Sequence, residues 1–137
     1  MQDTTKILIV DDEEVVRLSH RRILAGDHCK VETVLNGPEA LRLMERQAVD
    51  VVLLDLRMPG MDGLTILKAI KERWPEIEVV IITGYPSLET AKEAIQLGAY
   101  DYLSKPVDPE DVVKVASGAM LQKQWGMHKH AAPAGIQ

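Results

Sequence analysis

The chain has 137 residues, enough for a single domain that buries a real core. Sixteen basic against twenty-one acidic residues leave a net charge of -5, which argues against direct contact with nucleic acid or an anionic membrane, since both depend on dense Lys and Arg. Residues 1–6 lack the basic-then-apolar pattern of a signal peptide, and no stretch approaches the roughly 18 to 20 apolar residues of a membrane span, so a cytoplasmic protein is expected.

In chain order, the run Ile7 to Val10 is continuously apolar, as in a parallel strand covered on both faces, and it leads directly into Asp11 and Asp12. Val15, Val16, Leu18, Ile23 and Leu24 follow at helical spacing, predicting a first helix from near Glu13. Cys29, the single cysteine, reads as a small buried or half-buried thiol rather than a redox group. Val31 to Leu35 predicts the second strand, the one run that does not end in a polar residue suited to phosphoryl chemistry. Gly37-Pro38 opens the second helix with an early proline, ahead of Ala40, Leu41, Leu43 and Met44.

Val51 to Leu54 predicts the third strand, closed by Asp55. Leu64, Ile66, Leu67 and Ile70 mark the third helix, which Trp74-Pro75 ends because the residue before proline avoids helical dihedrals. Val79 to Ile82 leads to Thr83, and Ala91, Ala94, Ile95 and Leu97 mark a fourth helix with Gly98 as its left-handed cap. The run around Tyr102 and Leu103 reaches Ser104-Lys105-Pro106. Asp108 to Asp111 supplies a capping acid, an early proline and acidic first-turn residues to the last helix, which carries Val112, Val113, Val115, Ala116 and Met120. Packing on the sheet is the expected role of that helix, with Trp125 a candidate for a dimer seam. The periodicity fades from Gly126, so the domain is expected over 1–124 with a disordered tail over 125–137. His128 and His130 in that tail read as exposed spacers rather than metal ligands.

The alternation βαβαβαβαβα predicts an α/β fold, a doubly wound parallel sheet in a three-layer αβα arrangement. The expected strand order is 2-1-3-4-5, with the switch point between the first and third strands. Ligands of such sheets bind at the carboxyl ends of the strands. That edge collects Asp11, Asp12, Asp55, Thr83 and Lys105.

Capping would explain one of the acids Asp11 to Glu14 and leaves the cluster unexplained, whereas a divalent cation explains the pair Asp11 and Asp12, with hard oxygen ligands favouring Mg²⁺. Asp55 closes so apolar a run that its charge needs compensation from a metal or from Lys105. So balanced, it is placed to attack phosphorus. Thr83 and Gly84 offer a hydroxyl and an unobstructed backbone N–H. Proline after Lys105 makes a tight turn, cis or trans, that would aim the lysine across the sheet edge. Taken singly, a strand-end threonine or a lone lysine is more often structural or solvated.

The segments Ile7 to Glu13, Val51 to Gly63, Ile81 to Gly84 and Gly98 to Pro106 together resemble the receiver domain of two-component response regulators, over about Lys6 to Gln124. The resemblance implies a flavodoxin-like (βα)5 fold and Mg-dependent phosphoryl transfer from a histidine kinase or phosphotransfer protein to Asp55. Asp11, Asp12, Asp55 and the backbone carbonyl of Arg57 would hold Mg²⁺, for which Mn²⁺ can substitute. Thr83 and Lys105 would bind the phosphoryl oxygens. Tyr102 matches the switch aromatic, although with Tyr100 it would equally suit plain packing of an edge strand. Arg57, Gly84 and Tyr85 would flank the phosphoryl group, with Arg57 and Tyr85 influencing its slow hydrolysis. The switched surface would be that of the fourth helix, fifth strand and last helix, offered to an output domain, a partner protein or a second copy.

The segment Thr83 to Gly98 is similar to receivers of the nitrogen-regulator type, which usually precede an ATPase and a DNA-binding domain. A stand-alone receiver or an excised piece is therefore expected. Two other readings compete. An aspartate-dependent phosphatase of the haloacid dehalogenase type would need a second aspartate where Arg57 stands. A constitutive interaction module with a structural cation would need no phosphorylation.

Overall fold

Within each strand, successive side chains point to opposite sides of the sheet, and this alternation sorts the apolar residues into two cores. The computed structural model describes residues 4–58 and 60–131, apart from the side chains of Met61 and of residues 126–131. Its strands are β1 (Thr5–Val10), β2 (Cys29–Val34), β3 (Val51–Leu54), the two-residue β4 (Arg57–Met58) and β5 (Met61–Asp62), then β6 (Glu78–Thr83) and β7 (Asp101–Ser104). The helices are α1 (Glu14–Leu24), α2 (Gly37–Arg46), α3 (Gly63–Arg73), α4 (Leu88–Gln96) and α5 (Pro109–Ala131).

The main sheet is parallel in the order β2-β1-β3-β6-β7. Since β4 and β5 pair only with each other, this is the predicted order of the five long strands. Leu8, Val10, Val52, Leu54, Val79 and Ile81 face one core with residues of α2, α3 and α4, among them Ala40, Leu43, Ile66, Leu67, Ile70 and Ala94. Ile7, Ile9, Val51, Leu53, Val80 and Ile82 face the other, closed by Ile23 and Leu24 of α1 and by Val112, Val115, Ala116 and Ala119 of α5. The layers are therefore αβα, with two helices on one face and three on the other.

Local signals hold the helix ends. Asn36 caps α2 by accepting the Glu39 N–H at 3.0 Å, and Pro38 lies in its first turn. Ser87 caps α4 through the Thr90 N–H at 3.1 Å. Trp74 ends α3, and Gly98 follows α4 with φ of 102°, a left-handed value natural to glycine. The Lys105–Pro106 peptide bond is cis.

Two expectations change. Val15 and Leu18 of α1 face outward, 78% and 53% exposed, and the buried residue of that helix is His20. Helix α5 also continues to Ala131, across the boundary expected at 124. Just before that boundary, an ion pair between Lys123 and Asp50 ties the helix to the amino-terminal edge of the sheet. In the sequence, proline does not interrupt this stretch before Pro133. The remainder of the expected tail, 132–137, and the side chains of His128 and His130 lie outside what is described. Among the described residues, no helix is long and apolar enough to cross a membrane.

Candidate functional site

Sheet register builds the site. Val10 pairs with Leu54, so the residues that follow, Asp11 and Asp55, emerge side by side. The Asp55 N–H donates to the Val10 carbonyl at 3.0 Å and holds the two chain ends together. Across the sheet Thr83 pairs with Ser104, and the Lys105 N–H donates to the Thr83 carbonyl at 2.8 Å. Four of the predicted residues thus leave neighbouring strands at one edge.

One carboxylate oxygen each from Asp11, Asp12 and Asp55 lies within 4.8 Å of the others. Asp11 and Asp55 are buried and Asp12 is exposed. Lys105 Nζ reaches into this group, at 2.9 Å from Asp11 Oδ2 and 3.4 Å from Asp55 Oδ2. Its third partner is Glu13 Oε1 at 2.9 Å. The cavity over these groups has a volume of about 800 Å³ and is lined by Asp12, Glu13, Asp55, Arg57, Gly84, Tyr85 and Lys105, with Asp62 at its rim. Thr83 is fully buried behind it, its Oγ1 accepting the Tyr85 N–H at 3.1 Å.

Capping does not account for the acids. Asp11 Oδ1 accepts the Glu13 N–H at 2.9 Å and closes the turn, while Glu13, the N-cap of α1, makes no side-chain cap bond. Electrostatics single out Asp55. Burial pushes its carboxyl up, and the neighbouring Asp11 charge adds to that; Lys105 and the Arg57 N–H, at 3.3 Å from Oδ1, pull the other way without cancelling it. Burial also pulls Lys105 down, but the hydrogen bonds it donates to Glu13 and Asp11 more than reverse this and keep the ammonium charged. Three converging hard oxygen donors, one of them left short of positive charge, suit a divalent cation.

The other predicted residues divide. Arg57 is exposed, with its guanidinium 4.1 Å from the centre of the Tyr85 ring, so the two form a stacked pair beside the cavity. A Cβ at Gly84 would meet only Lys105 Cδ at 3.9 Å, an ordinary contact, so an open approach rather than lack of room distinguishes that position. Tyr102 stands apart from the acids. Its hydroxyl lies 2.6 Å from Thr90 Oγ1 and accepts the Ser87 N–H at 3.1 Å, at the start of α4, while its ring packs against the larger core.

Sequence reasoning missed Glu13, Arg17 and His20. Arg17 Nη1 donates to the Asp11 carbonyl at 2.8 Å and braces the acidic turn from α1. Burial lowers the His20 imidazole pKa. Glu13 stood within the visible acidic run, but only the turn geometry decides which of those acids meets Lys105.

Residues 7–117 match the family described as "Response regulator receiver domain". The chain belongs to the response regulator receiver domain family. The receiver is 42% identical over 118 residues to the DNA-binding transcriptional regulator NtrC of Escherichia coli K12, covering 86% of this chain and 25% of that protein. It is 41% identical over 109 residues to a putative NtrX-like response regulator of Rickettsia bellii, covering 78% of this chain and 23% of that protein. It thus spans about a quarter of the length of these curated relatives. Among solved structures, NtrX of Brucella abortus in complex with ADP superposes with a TM-score of 0.87 at 32% identity, over 98% of this chain and 31% of that one. A CheY-like receiver domain protein of Methanospirillum hungatei superposes with a TM-score of 0.86 at 28% identity, over 90% of this chain and 99% of that one.

Proposed function

We propose that this receiver is a phosphorylation switch whose acceptor is Asp55. The observation that carries the reading is the placement of a buried, under-compensated carboxylate within 4.8 Å of two further acids and 3.4 Å from a lysine ammonium, at the floor of an open cavity. Asp12, Asp55 and the Arg57 carbonyl would hold Mg²⁺ or Mn²⁺, with Asp11 helping directly or through water. A cation so bound neutralises phosphoryl oxygens during transfer.

Asp55 supplies the nucleophile. One of its carboxylate oxygens bonds to phosphorus as the bond from phosphorus to the donor's imidazole nitrogen breaks, the electron pair leaving with the imidazole. Lys105 and Thr83 would bind the phosphoryl oxygens, and most of the catalysis is positioning and charge stabilisation. The Arg57–Tyr85 stack lies where it can limit water access and so set the lifetime of the acyl phosphate. The chain's chemistry is then confined to its own phosphorylation and slow dephosphorylation.

The switch follows from Thr83. Drawing its hydroxyl to the phosphoryl group breaks the Tyr85 N–H bond and loosens the loop before α4. Tyr102 then leaves Thr90 and Ser87 and turns inward, and the surface of α4, β7 and α5 changes. Proposed partners are a histidine kinase or phosphotransfer protein and an output domain, with a second copy binding the same face as a further outcome. The chain acts in the cytoplasm, alone or as the receiver of a longer regulator.

Acetyl phosphate with Mg²⁺ should label the wild-type chain and leave Asp55→Ala unlabelled, read by phosphate-affinity electrophoresis. Undiminished label in the variant overturns the assignment.

A further inference from the structure

Lys105 has three carboxylate partners, and the reading of Asp55 as phosphoacceptor, on which this inference rests, uses only two of them. Glu13 is the third. Its Oε1 is as close to Lys105 Nζ as Asp11 Oδ2 is, 2.9 Å in both cases, and closer than Asp55 Oδ2 at 3.4 Å. The Glu13 side chain is 61% exposed and lines the cavity, whereas those of Asp11 and Asp55 are 4% and 5% exposed. The ammonium is therefore bonded on its inner side to the buried acids and on its outer side to a carboxylate at the rim. A phosphoryl group arriving on Asp55 needs that outer N–H.

We propose that Glu13 is a positioning residue that holds Lys105 at the rim and competes with the incoming phosphoryl group for the same ammonium. Entry of an anionic donor requires Glu13 to release Lys105, and the negative charge of Glu13 also opposes the approach of that anion. Glu13 thereby tunes how readily small anionic donors load the site. A partner protein that brings its own cation near the rim would relieve the competition. One exposed side chain thus makes the resting site less ready to take up free phosphodonors.

The test uses the full chain at saturating Mg²⁺, with acetyl phosphate as donor. Asp55 attacks phosphorus while the acetate oxygen–phosphorus bond breaks and acetate leaves with the electron pair, so initial rates against donor concentration separate donor affinity from maximal rate. Glu13→Gln keeps the shape and removes the charge, and Glu13→Asp keeps the charge and shortens the reach to Lys105. Glu13→Gln is expected to improve apparent donor affinity about two- to five-fold, the equivalent of one exposed ion pair, and to flatten its dependence on salt. Glu13→Asp is expected to improve it less but measurably. The ¹³Cε resonance of Lys105 is expected to shift in both variants before any donor is added. Wild type labelled on Asp55, with unchanged or weaker donor affinity in Glu13→Gln, overturns the role of Glu13 and leaves the acceptor reading intact. Absence of label in wild type overturns both.

Discussion

Lys105 divides one positive charge among three carboxylates, and Asp55 receives the smallest share because its contact is the longest. Burial raises the pKa of the carboxyl that would act as nucleophile, with the Asp11 charge reinforcing the effect and Lys105 only partly opposing it. A carboxyl whose pKa is higher in the folded chain than in the unfolded one favours folding when protonated. That contribution is complete below the ordinary carboxylate range and is lost as pH rises through the folded-state value. Asp55→Asn removes this pH-dependent loss while Lys105 keeps Asp11 and Glu13. In metal-free buffer it should be more stable than wild type near pH 7, with the advantage gone below about pH 4. Urea unfolding at the two pH values checks this, and a variant less stable at pH 7 contradicts it.

Among elements, the start of α3 fixes the floor of the site through Gly63. A Cβ there would lie 2.6 Å from Leu56 Cα and 2.7 Å from the Asp55 carbonyl oxygen, both backbone atoms that cannot step aside cheaply. Gly63→Ala should therefore cost about 1–3 kcal/mol, as overpacking does. It should also slow labelling of Asp55 more than an exposed control such as Lys68→Ala; thermal unfolding and labelling rates read the two effects. The elements were largely legible in the sequence, because continuous Val, Ile and Leu runs mark strands covered on both faces and Gly37-Pro38, Trp74-Pro75 and Gly98 mark helix ends. The inner face of α1 was legible only at its end, where Ile23 and Leu24 pack on the sheet. Its apolar spacing pointed to Val15 and Leu18, while His20 fills the buried position and Arg17 braces the Asp11 carbonyl. Periodicity counts apolar residues and passes over polar ones that find partners inside. The length of α5 escaped because the apolar periodicity fades near 124 while the backbone stays helical to Ala131.

For the molecule as a whole, the acidic crevice couples ligand and stability. A divalent cation that binds only the folded arrangement of Asp11, Asp12 and Asp55 raises the unfolding free energy by mass action, by about 2.7 kcal/mol at a hundred times its dissociation constant. Mg²⁺ should accordingly raise the thermal midpoint of wild type, EDTA should reverse it, and Asp12→Asn should lose most of the shift; an equal shift in the variant would place the cation elsewhere. The crevice itself was legible because five strand ends on one edge leave few places for Asp11, Asp12, Asp55, Thr83 and Lys105 to go. How they share charge was not, since that depends on tenths of an ångström.

Helix α4 fully buries only Ala94 among its residues. A helix held to the core mainly by one methyl group gives up on the order of 1 kcal/mol of apolar contact when it slides. The two hydrogen bonds of the Tyr102 hydroxyl to Thr90 and Ser87 add about as much each. The resting arrangement is therefore favoured by only a few kcal/mol. A covalent group with two or three charge-assisted contacts can invert a preference of that size, and its hydrolysis restores it.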